Sequence, residues 1–228
     1  MSATLSDVTI PSLYLASQSP RRRELLQQIG VKHAVISATI PEQPAPGEAA
    51  LDYVQRLARE KAAAGFAQVI ARGLPVAPVL GADTIGLLDG AILEKPLNQT
   101  HAQQMLRALS GRTHQVITAV ALHTGERQAL RVSTTHVTFR DLSDDEIAAY
   151  WETGEPQDKA GGYAIQGLGA VFVQEIRGSY SCVVGLPLEA CCELMREFAV
   201  PWWTSMAQSA TSSAVKSATQ ITTGEHGA

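Results

Sequence analysis

The chain has 228 residues, of which 45% are hydrophobic and 18% charged, and its formal net charge is −4 at pH 7. This length and composition allow one large or two small domains with a buried core, and they exclude a chain that is disordered throughout. The acidic balance argues against a broad basic surface for nucleic acid, although it is compatible with a local basic pocket.

The N-terminal residues and the cysteines bear on location. Residues 1–10 carry an Asp and no Lys or Arg, which is unlike a signal peptide, and no apolar run approaches the roughly twenty residues that span a bilayer. Cys182, Cys191 and Cys192 include an adjacent pair and no CxxC motif, which favours small buried thiols in a reducing compartment over a disulfide framework or a zinc site. We therefore expect a cytoplasmic protein with neither a membrane nor a nucleic-acid partner.

Strand and helix patterns alternate over residues 12–203, which are expected to form a single domain. Residues 1–11 resemble a loose arm, and residues 204–228 are rich in Ser, Thr, Ala and Gln, which predicts a disordered tail.

The fold class expected for the domain is α/β with a mixed sheet. In chain order, the patterns predict a strand at 13–16, a helix from Ser19 to Gly30, a strand at 31–38, a helix at 47–70, a strand at 76–82, a hairpin at 85–93 turning at Asp89-Gly90, a helix at 100–109, paired strands at 114–123 and 129–139, a helix capped by Ser143 and Glu146, a strand at 171–176 and a helix at 188–198.

Residues 17–23, Ser-Gln-Ser-Pro-Arg-Arg-Arg, lie where the first predicted strand meets the first helix. This junction offers free backbone N–H groups and the positive end of a helix dipole, and arginine matches phosphate oxygens. Three arginines at that end disfavour the helix itself, and a bound polyanion would compensate for them. The alternative is a solvated basic turn paired with Glu24 or a distant acid. No Walker motif, GxxxxGK[ST], occurs in the chain.

Asp83, in Gly-Ala-Asp-Thr, follows the apolar run at 76–82. A carboxylate at the carboxyl end of a strand in an α/β sheet faces the usual ligand crevice, where it could hold a metal or activate water. A turn-forming Asp bonded to its own backbone explains the position equally well. Lys95, just after the predicted hairpin, could reach a phosphate, but it also fits an ordinary surface lysine.

Residues 158–169 contain four glycines, together with Asp158, Lys159 and Gln166. Glycine lets the backbone approach a ligand closely, and a Gln amide has both the donor and the acceptor that reading a base requires. The alternative is a mobile surface loop. The six histidines show no metal-ligand spacing, and His114 is interpreted as structural.

Together, a phosphate pocket, an acidic metal or base site and a glycine-rich loop indicate phosphoryl chemistry on a nucleotide-like substrate. These features do not determine which phosphorus is attacked. Seven stretches, which include the features described above, can be compared with known families; they are LASQSPRRRELL, LAREKA, GADT, EKPL, LSGRTHQVITAV, DKAGGYAIQGLG and GSYSCVVGLPL.

In their order and spacing, these stretches resemble the Maf family of nucleoside triphosphate pyrophosphatases, from about residue 13 to residue 198. The resemblance implies an elongated α/β fold with a central mixed sheet and a cleft between two lobes. It also implies cleavage between the α- and β-phosphates, which yields a nucleoside monophosphate and pyrophosphate. The expected cofactor is a divalent cation, Mg²⁺ or Mn²⁺.

The resemblance also implies roles for single residues. Asp83 resembles the catalytic carboxylate that acts as general base toward water, and Glu42 resembles an acidic position that lies with it near the metal. The family often has an Asp-Glu pair where this chain has Pro41-Glu42. Four residues resemble ligands of the substrate phosphates and two begin a second binding loop; these are Ser17, Arg22, Lys61 and Lys95, and then Asp158 and Lys159.

Base preference within the family divides at three positions, occupied here by Arg21, Thr84 and Gln166. A branch acting on 7-methyl-GTP has Trp, Gln and Glu there, whereas this set resembles the dTTP/UTP branch. Gln can pair with both O4 and N3–H of uracil or thymine, while a Trp would stack on a cationic methylated purine. We expect dTTP and UTP as substrates, with modified pyrimidine triphosphates as further candidates.

Other functions remain open from the sequence. The family is associated with septum formation, so a nucleotide-binding regulator of cell division is an alternative. Asp83 argues against binding alone, because a carboxylate beside a triphosphate is repulsive unless a metal or proton transfer is involved. A phosphatase that releases single phosphates is a third candidate. The family resemblance also raises the prospect of a homodimer.

Overall fold

The structure is a computed structural model that describes residues 10–203. The predicted tail and residues 1–9 of the predicted arm lie outside the described residues. The elements, in chain order, are β1 Leu13–Ala16, α1 Pro20–Gln28, β2 His33–Val35, α2 Ala50–Ala71, β3 Val79–Leu88, β4 Ala91–Leu93, α3 Gln99–Leu109, β5 Thr113–His123, β6 Gln128–Phe139, α4 Asp144–Glu152, β7 Val173–Arg177, α5 Tyr180–Val184 and α6 Leu188–Glu197.

The strands form a mixed sheet in the order β2-β1-β3-β5-β6-β7, with β4 paired to β3 as a hairpin. β1 runs parallel to β2 and β3, whereas the other pairs are antiparallel. This architecture confirms the expected mixed α/β fold. Three 3₁₀ turns, Glu155–Asp158, Ala160–Gly162 and Leu168–Phe172, connect α4 to β7. No helix within residues 10–203 has the length and apolarity to cross a bilayer.

Apolar side chains cover both faces of the sheet, because residues of the long strand β5 alternate between them. On one face α2 packs Leu57 and Ala58 against a cluster that includes Ile117 and Ala119. On the other face, Val120 and Leu122 belong to a larger cluster that includes buried residues of α3, α4 and α6. The sheet is therefore held between helices, and the site residues on its strands have a fixed support.

Two short-range predictions are confirmed in detail. Asp89 and Gly90 turn the β3–β4 hairpin with φ angles of 51° and 82°, as a two-residue turn of the primed type requires. Ser143 and Glu146 form the predicted capping box at the start of α4, because each side chain accepts from the other residue's backbone N–H.

Three predictions were wrong in their local detail. The strand expected to end before Asp83 continues to Leu88, because antiparallel pairing with β5 carries it past Asp83. The strand predicted at 31–38 is only His33–Val35. Ser19 occupies the N-cap position of α1, but its side chain makes no capping hydrogen bond. The short helix α5 was not predicted.

Candidate active site

A cavity of about 810 Å³ opens beside the carboxyl end of β1. Its walls come from α1, α2, β3, the segment after β4 and the glycine-rich loop. Ten residues singled out from the sequence line it; they are Ser17, Arg21, Arg22, Glu42, Lys61, Asp83, Thr84, Lys95, Lys159 and Gln166. The remaining one, Asp158, ends the 3₁₀ turn directly before Lys159.

Asp83 lies in the middle of β3, but it still borders the cavity. The parallel neighbour β1 ends at Ala16, which pairs with Gly81, so β3 has no β1 residue beside it at Asp83. The crevice expected at a strand end is therefore created by the end of the neighbouring strand.

Lys61 joins Asp83 to Glu42. Its Nζ, on α2, lies 2.6 Å from Oδ1 of Asp83 and 2.8 Å from Oε1 of Glu42. The side chains of Lys61 and Asp83 are 10% and 11% exposed, whereas that of Glu42 is 56% exposed. A buried charge is stable only when it is paired, so the Asp83 carboxylate depends on Lys61, whereas Lys61 has two carboxylate partners. The family resemblance implies that Lys61 binds substrate phosphate, and the structure adds its ion pairs with the two carboxylates.

The guanidinium of Arg22 is bound on three sides. It donates to the carbonyl oxygen of Gly185 at 2.7 Å, to Ser17 Oγ at 3.0 Å and to Thr84 Oγ1 at 3.1 Å. Burial lowers the pKa of Arg22, while the charge of Asp83 acts in the opposite direction. Arg22 therefore joins the turn after β1 to β3 and to the residue after α5.

A buried threonine extends this network. Thr118, on β5, is fully buried and donates its hydroxyl to the carbonyl oxygen of Cys182 at 2.8 Å. Its Oγ1 also lies 2.9 Å from Oγ1 of Thr84. Because the one proton of Thr118 is used on Cys182, Thr84 must be the donor in that second bond. The Thr84 oxygen is then free to accept from Arg22. Arg22 therefore donates to Thr84, and Thr84 donates to Thr118.

The segment that carries Glu42 is anchored to α2. Tyr53 donates its hydroxyl to the carbonyl oxygen of Glu42 at 2.7 Å, and Arg56 donates to that of Gln43 at 3.1 Å. Burial raises the pKa of Tyr53, and the charges of Asp83 and Glu42 raise it further, so Tyr53 stays a neutral donor at neutral pH. The sequence offered no pattern that would single out Tyr53.

The glycine-rich loop forms another part of the cavity wall. The N–H of Gly161 donates to the carbonyl oxygen of Glu94 at 3.1 Å, which ties the loop to the segment carrying Lys95. Gly161 and Gly162 have φ angles of 75° and 71°, a conformation that favours glycine. The exposed Gln166 faces the cavity from this wall.

Asp83 and Glu42 are the residues that could hold a divalent cation at the cavity. Within residues 10–203, no group of three or more His, Cys, Asp or Glu side chains is placed to hold a metal ion. Magnesium at phosphate sites is commonly bound by one or two carboxylates and by the substrate phosphates. These two carboxylates could therefore hold a cation that also binds substrate phosphates.

The fold and the site define a class of α/β protein whose cavity is lined by Arg and Lys side chains around a buried carboxylate. Such a cavity suits a polyanionic substrate. Residues 12–198 match the family described as Maf-like protein, and the chain belongs to this family. A protein of Saccharophagus degradans named dTTP/UTP pyrophosphatase is 56% identical over 195 residues, covering 86% of this chain and 92% of its own length. Proteins of the same name from Escherichia coli O157:H7 and Shigella sonnei are each 58% identical over 187 residues, covering 82% of this chain and 93% of their own length.

Proposed function

We propose that this protein hydrolyses dTTP and UTP to the nucleoside monophosphate and pyrophosphate. The observation that carries the proposal is that Asp83, Lys61 and Glu42 converge on one cavity that Gln166 also lines. The names of the relatives agree with it, and they share more than half of their residues with the chain.

The phosphates are expected to bind along the cationic side of the cavity. Arg21 and Arg22 lie in the first turn of α1, where the helix dipole is positive, and Lys95 lies on the segment after β4. Ser17 contributes a hydroxyl at the turn before α1. Arg22 already holds three partners, so its role combines binding with support of the turn.

Hydrolysis needs a base near the α-phosphorus. We assign this role to Asp83, which takes a proton from water as the water oxygen bonds to phosphorus. The bond from the α-phosphorus to the bridging oxygen breaks, and pyrophosphate leaves with that oxygen. Lys61 keeps Asp83 in place through their ion pair, and its ammonium would offset the negative charge that develops on the phosphates.

A divalent cation, Mg²⁺ or Mn²⁺, belongs to the proposal. Glu42 and Asp83 would hold it together with the substrate phosphates, and it would neutralise charge on those phosphates when bound. Tyr53 fixes the backbone of Glu42, so this exposed carboxylate starts from a defined position.

Base choice is assigned to Gln166, Thr84 and Arg21. The Gln166 amide can pair with O4 and N3–H of uracil or thymine. Cytosine presents a donor and an acceptor in exchanged places, so a fixed pocket leaves groups unpaired, at about 1–3 kcal/mol each. A triphosphate panel with products separated by chromatography, with and without Mg²⁺, tests the assignment. Release of single phosphates, or binding without turnover, would contradict it, and the latter result would favour a regulator.

The proposal also includes a cellular location and an oligomeric state. Cys182, Cys191 and Cys192 are free thiols, which suits a cytoplasmic location. A homodimer is proposed from the family alone, and light scattering on the purified chain would test it.

A further inference from the structure

The turn that carries Gln166 is held on both flanks. On one side, the N–H of Ala164 donates to the hydroxyl oxygen of Tyr150 at 3.1 Å. On the other side, the N–H groups of residues 168–169 donate to the two carboxylate oxygens of Glu155, each over 2.9 Å. The Tyr150 hydroxyl in turn donates to Oε1 of Glu155 at 2.6 Å, so both anchors form one unit, here called the clasp.

The glycines beside Gln166 make room for the clasp. A Cβ atom at Gly167 would lie 2.0 Å from Oε2 of Glu155, and one at Gly169 would lie 2.7 Å from the Tyr150 hydroxyl. Both distances are too short for a real side chain. These two glycines therefore serve the approach of the clasp to the backbone, a role different from the ligand approach that the sequence suggested for the loop.

The clasp has its own support in the fold. Tyr150 lies on α4, whose start is fixed by the capping box, and its ring packs edge-on against Phe172 with 4.8 Å between centroids. Burial raises the pKa of Tyr150, so it remains a neutral donor. Partial burial acts to raise the pKa of Glu155, but hydrogen bonds from Tyr150, Gly169 and Leu168 outweigh it, and the net shift is downward. Hydrogen bonds to an ionised carboxylate are the stronger kind.

We propose that Glu155 and Tyr150 are positioning residues that set the place of Gln166 and thereby the base preference of the enzyme. The inference rests on the proposed function. A hydrogen-bonding side chain discriminates between bases only if its backbone is held still, because Gln166 could otherwise shift to suit cytosine. The two flanks of its turn have their N–H groups bound by the clasp, which provides that restraint.

The experiment compares Tyr150→Phe and Glu155→Gln with the wild type. Tyr150→Phe keeps the ring against Phe172 but removes the hydroxyl that bonds to Glu155 and to the N–H of Ala164. Glu155→Gln replaces one acceptor oxygen by a donor. Glu197→Gln is the matched control, because it makes the same change at a carboxylate that pairs with Arg127 and Arg131 and belongs neither to the clasp nor to the cavity lining. For each variant, kcat and KM are measured on dTTP, UTP, CTP and GTP, and amide hydrogen exchange is measured over residues 164–169.

We expect faster exchange confined to residues 164–169 in both clasp variants, and about a tenfold fall in the ratio of kcat/KM for the preferred base over the next one. Glu197→Gln should change neither quantity. Faster exchange with an unchanged ratio, or an unchanged exchange rate, would overturn the inference. If the wild type prefers another base, the proposed function fails, but the ratio for that base still tests the clasp. Should Glu155→Gln fail to fold, Tyr150→Phe decides alone.

Discussion

The ammonium of Lys61 lies between the carboxylates of Asp83 and Glu42. This sharing has a consequence for mutagenesis. Removing the charge of Asp83 leaves Lys61 with Glu42, so the buried cation keeps a partner. An effect on catalysis can then be measured in a protein that remains folded.

Asp83→Asn is expected to lower kcat by about a hundredfold or more, because an amide cannot accept the proton of the attacking water. The measurement is pyrophosphate release under saturating dTTP. Asp89→Asn is the matched control, since this exposed residue of the hairpin pairs with Arg112 and its φ of 51° suits Asn. Wild-type turnover in Asp83→Asn would remove Asp83 from its assigned role.

Thr118→Val is expected to weaken the network behind Arg22. The change keeps the shape but removes the acceptor of Thr84 and the donor to Cys182. Because the carbonyl oxygen of Cys182 still accepts from the N–H of Gly185, the loss of the two hydrogen bonds should cost about 1–2 kcal/mol of stability, and a less fixed Arg22 should raise KM by up to about tenfold. Thr118→Ser should restore both values. A variant that loses stability while KM stays unchanged would show that the network supports the fold alone.

At the scale of elements, the approach of α2 to the sheet fixes where Lys61 meets Asp83. A Cβ atom at Gly81 would lie 2.3 Å from the carbonyl oxygen of Ala58 and 2.5 Å from the nitrogen of Ala62. Both are backbone atoms of α2 on either side of Lys61. The helix can carry its lysine to β3 only because glycine occupies position 81.

Gly81→Ala is therefore expected to push α2 away from β3 and to lower the free energy of unfolding by about 3 kcal/mol. Gly86→Ala is the matched control in the same strand, since the three atoms nearest to its Cβ would be side-chain atoms of Leu93, at 3.1 Å or more, and not backbone atoms of a helix. Denaturant unfolding of both variants measures the difference. Equal losses would mean that the contact with the α2 backbone is not the cause.

Prediction from the sequence succeeded for elements with local causes. The hairpin at Asp89-Gly90 and the capping box of α4 depend on neighbouring residues alone. The end of β3 was misplaced, because Gly81 and Asp83 interrupt an apolar run while the pairing that continues the strand comes from β5. Long-range pairing of this kind leaves no pattern in the strand itself.

At the scale of the whole molecule, the site joins residues that are far apart in the chain. Asp83, residues 17–23 and the glycine-rich loop could be found from residue types at element junctions. Lys61 and Glu42 were identified through the family resemblance, since a lysine within a helix and a glutamate in a polar segment are common. Thr118 was identified neither from residue types nor from the family resemblance, because a threonine in a strand has no distinguishing pattern. It acts here through hydrogen bonds to Thr84 and Cys182, which lie on other elements.

The sheet also buries a titratable group away from the cavity's charges. His114 is 2% exposed, and its ring lies edge-on to Phe139 and Tyr163 at 5.2 and 5.5 Å between centroids. Its Nε2 and the Tyr163 hydroxyl share a hydrogen bond of 2.8 Å. Burial lowers the pKa of His114 from 6.5 to about 4. The folded protein therefore holds a neutral imidazole where the unfolded chain takes up a proton more readily.

Stability should consequently fall as the pH drops below 6.5. A His whose pKa is lower in the folded state contributes fully above its unfolded pKa, and this contribution is lost as the pH falls toward about 4. We expect a loss of about 2 kcal/mol between pH 6.5 and about 5. Glu48 and Glu146, with pKa values of about 2, act only in more acidic solution.

His114→Gln tests this expectation, because Gln can keep a hydrogen bond to Tyr163 but does not titrate. Urea unfolding at pH 7.5, 6.5, 5.5 and 5 gives the slope for each protein. Burial also lowers the pKa of His123, which adds a loss of the same sign to both, so the quantity that matters is the difference between the two slopes. The wild type should lose stability more steeply than His114→Gln over this range; parallel slopes would show that His114 binds its proton equally well in the folded and unfolded chain.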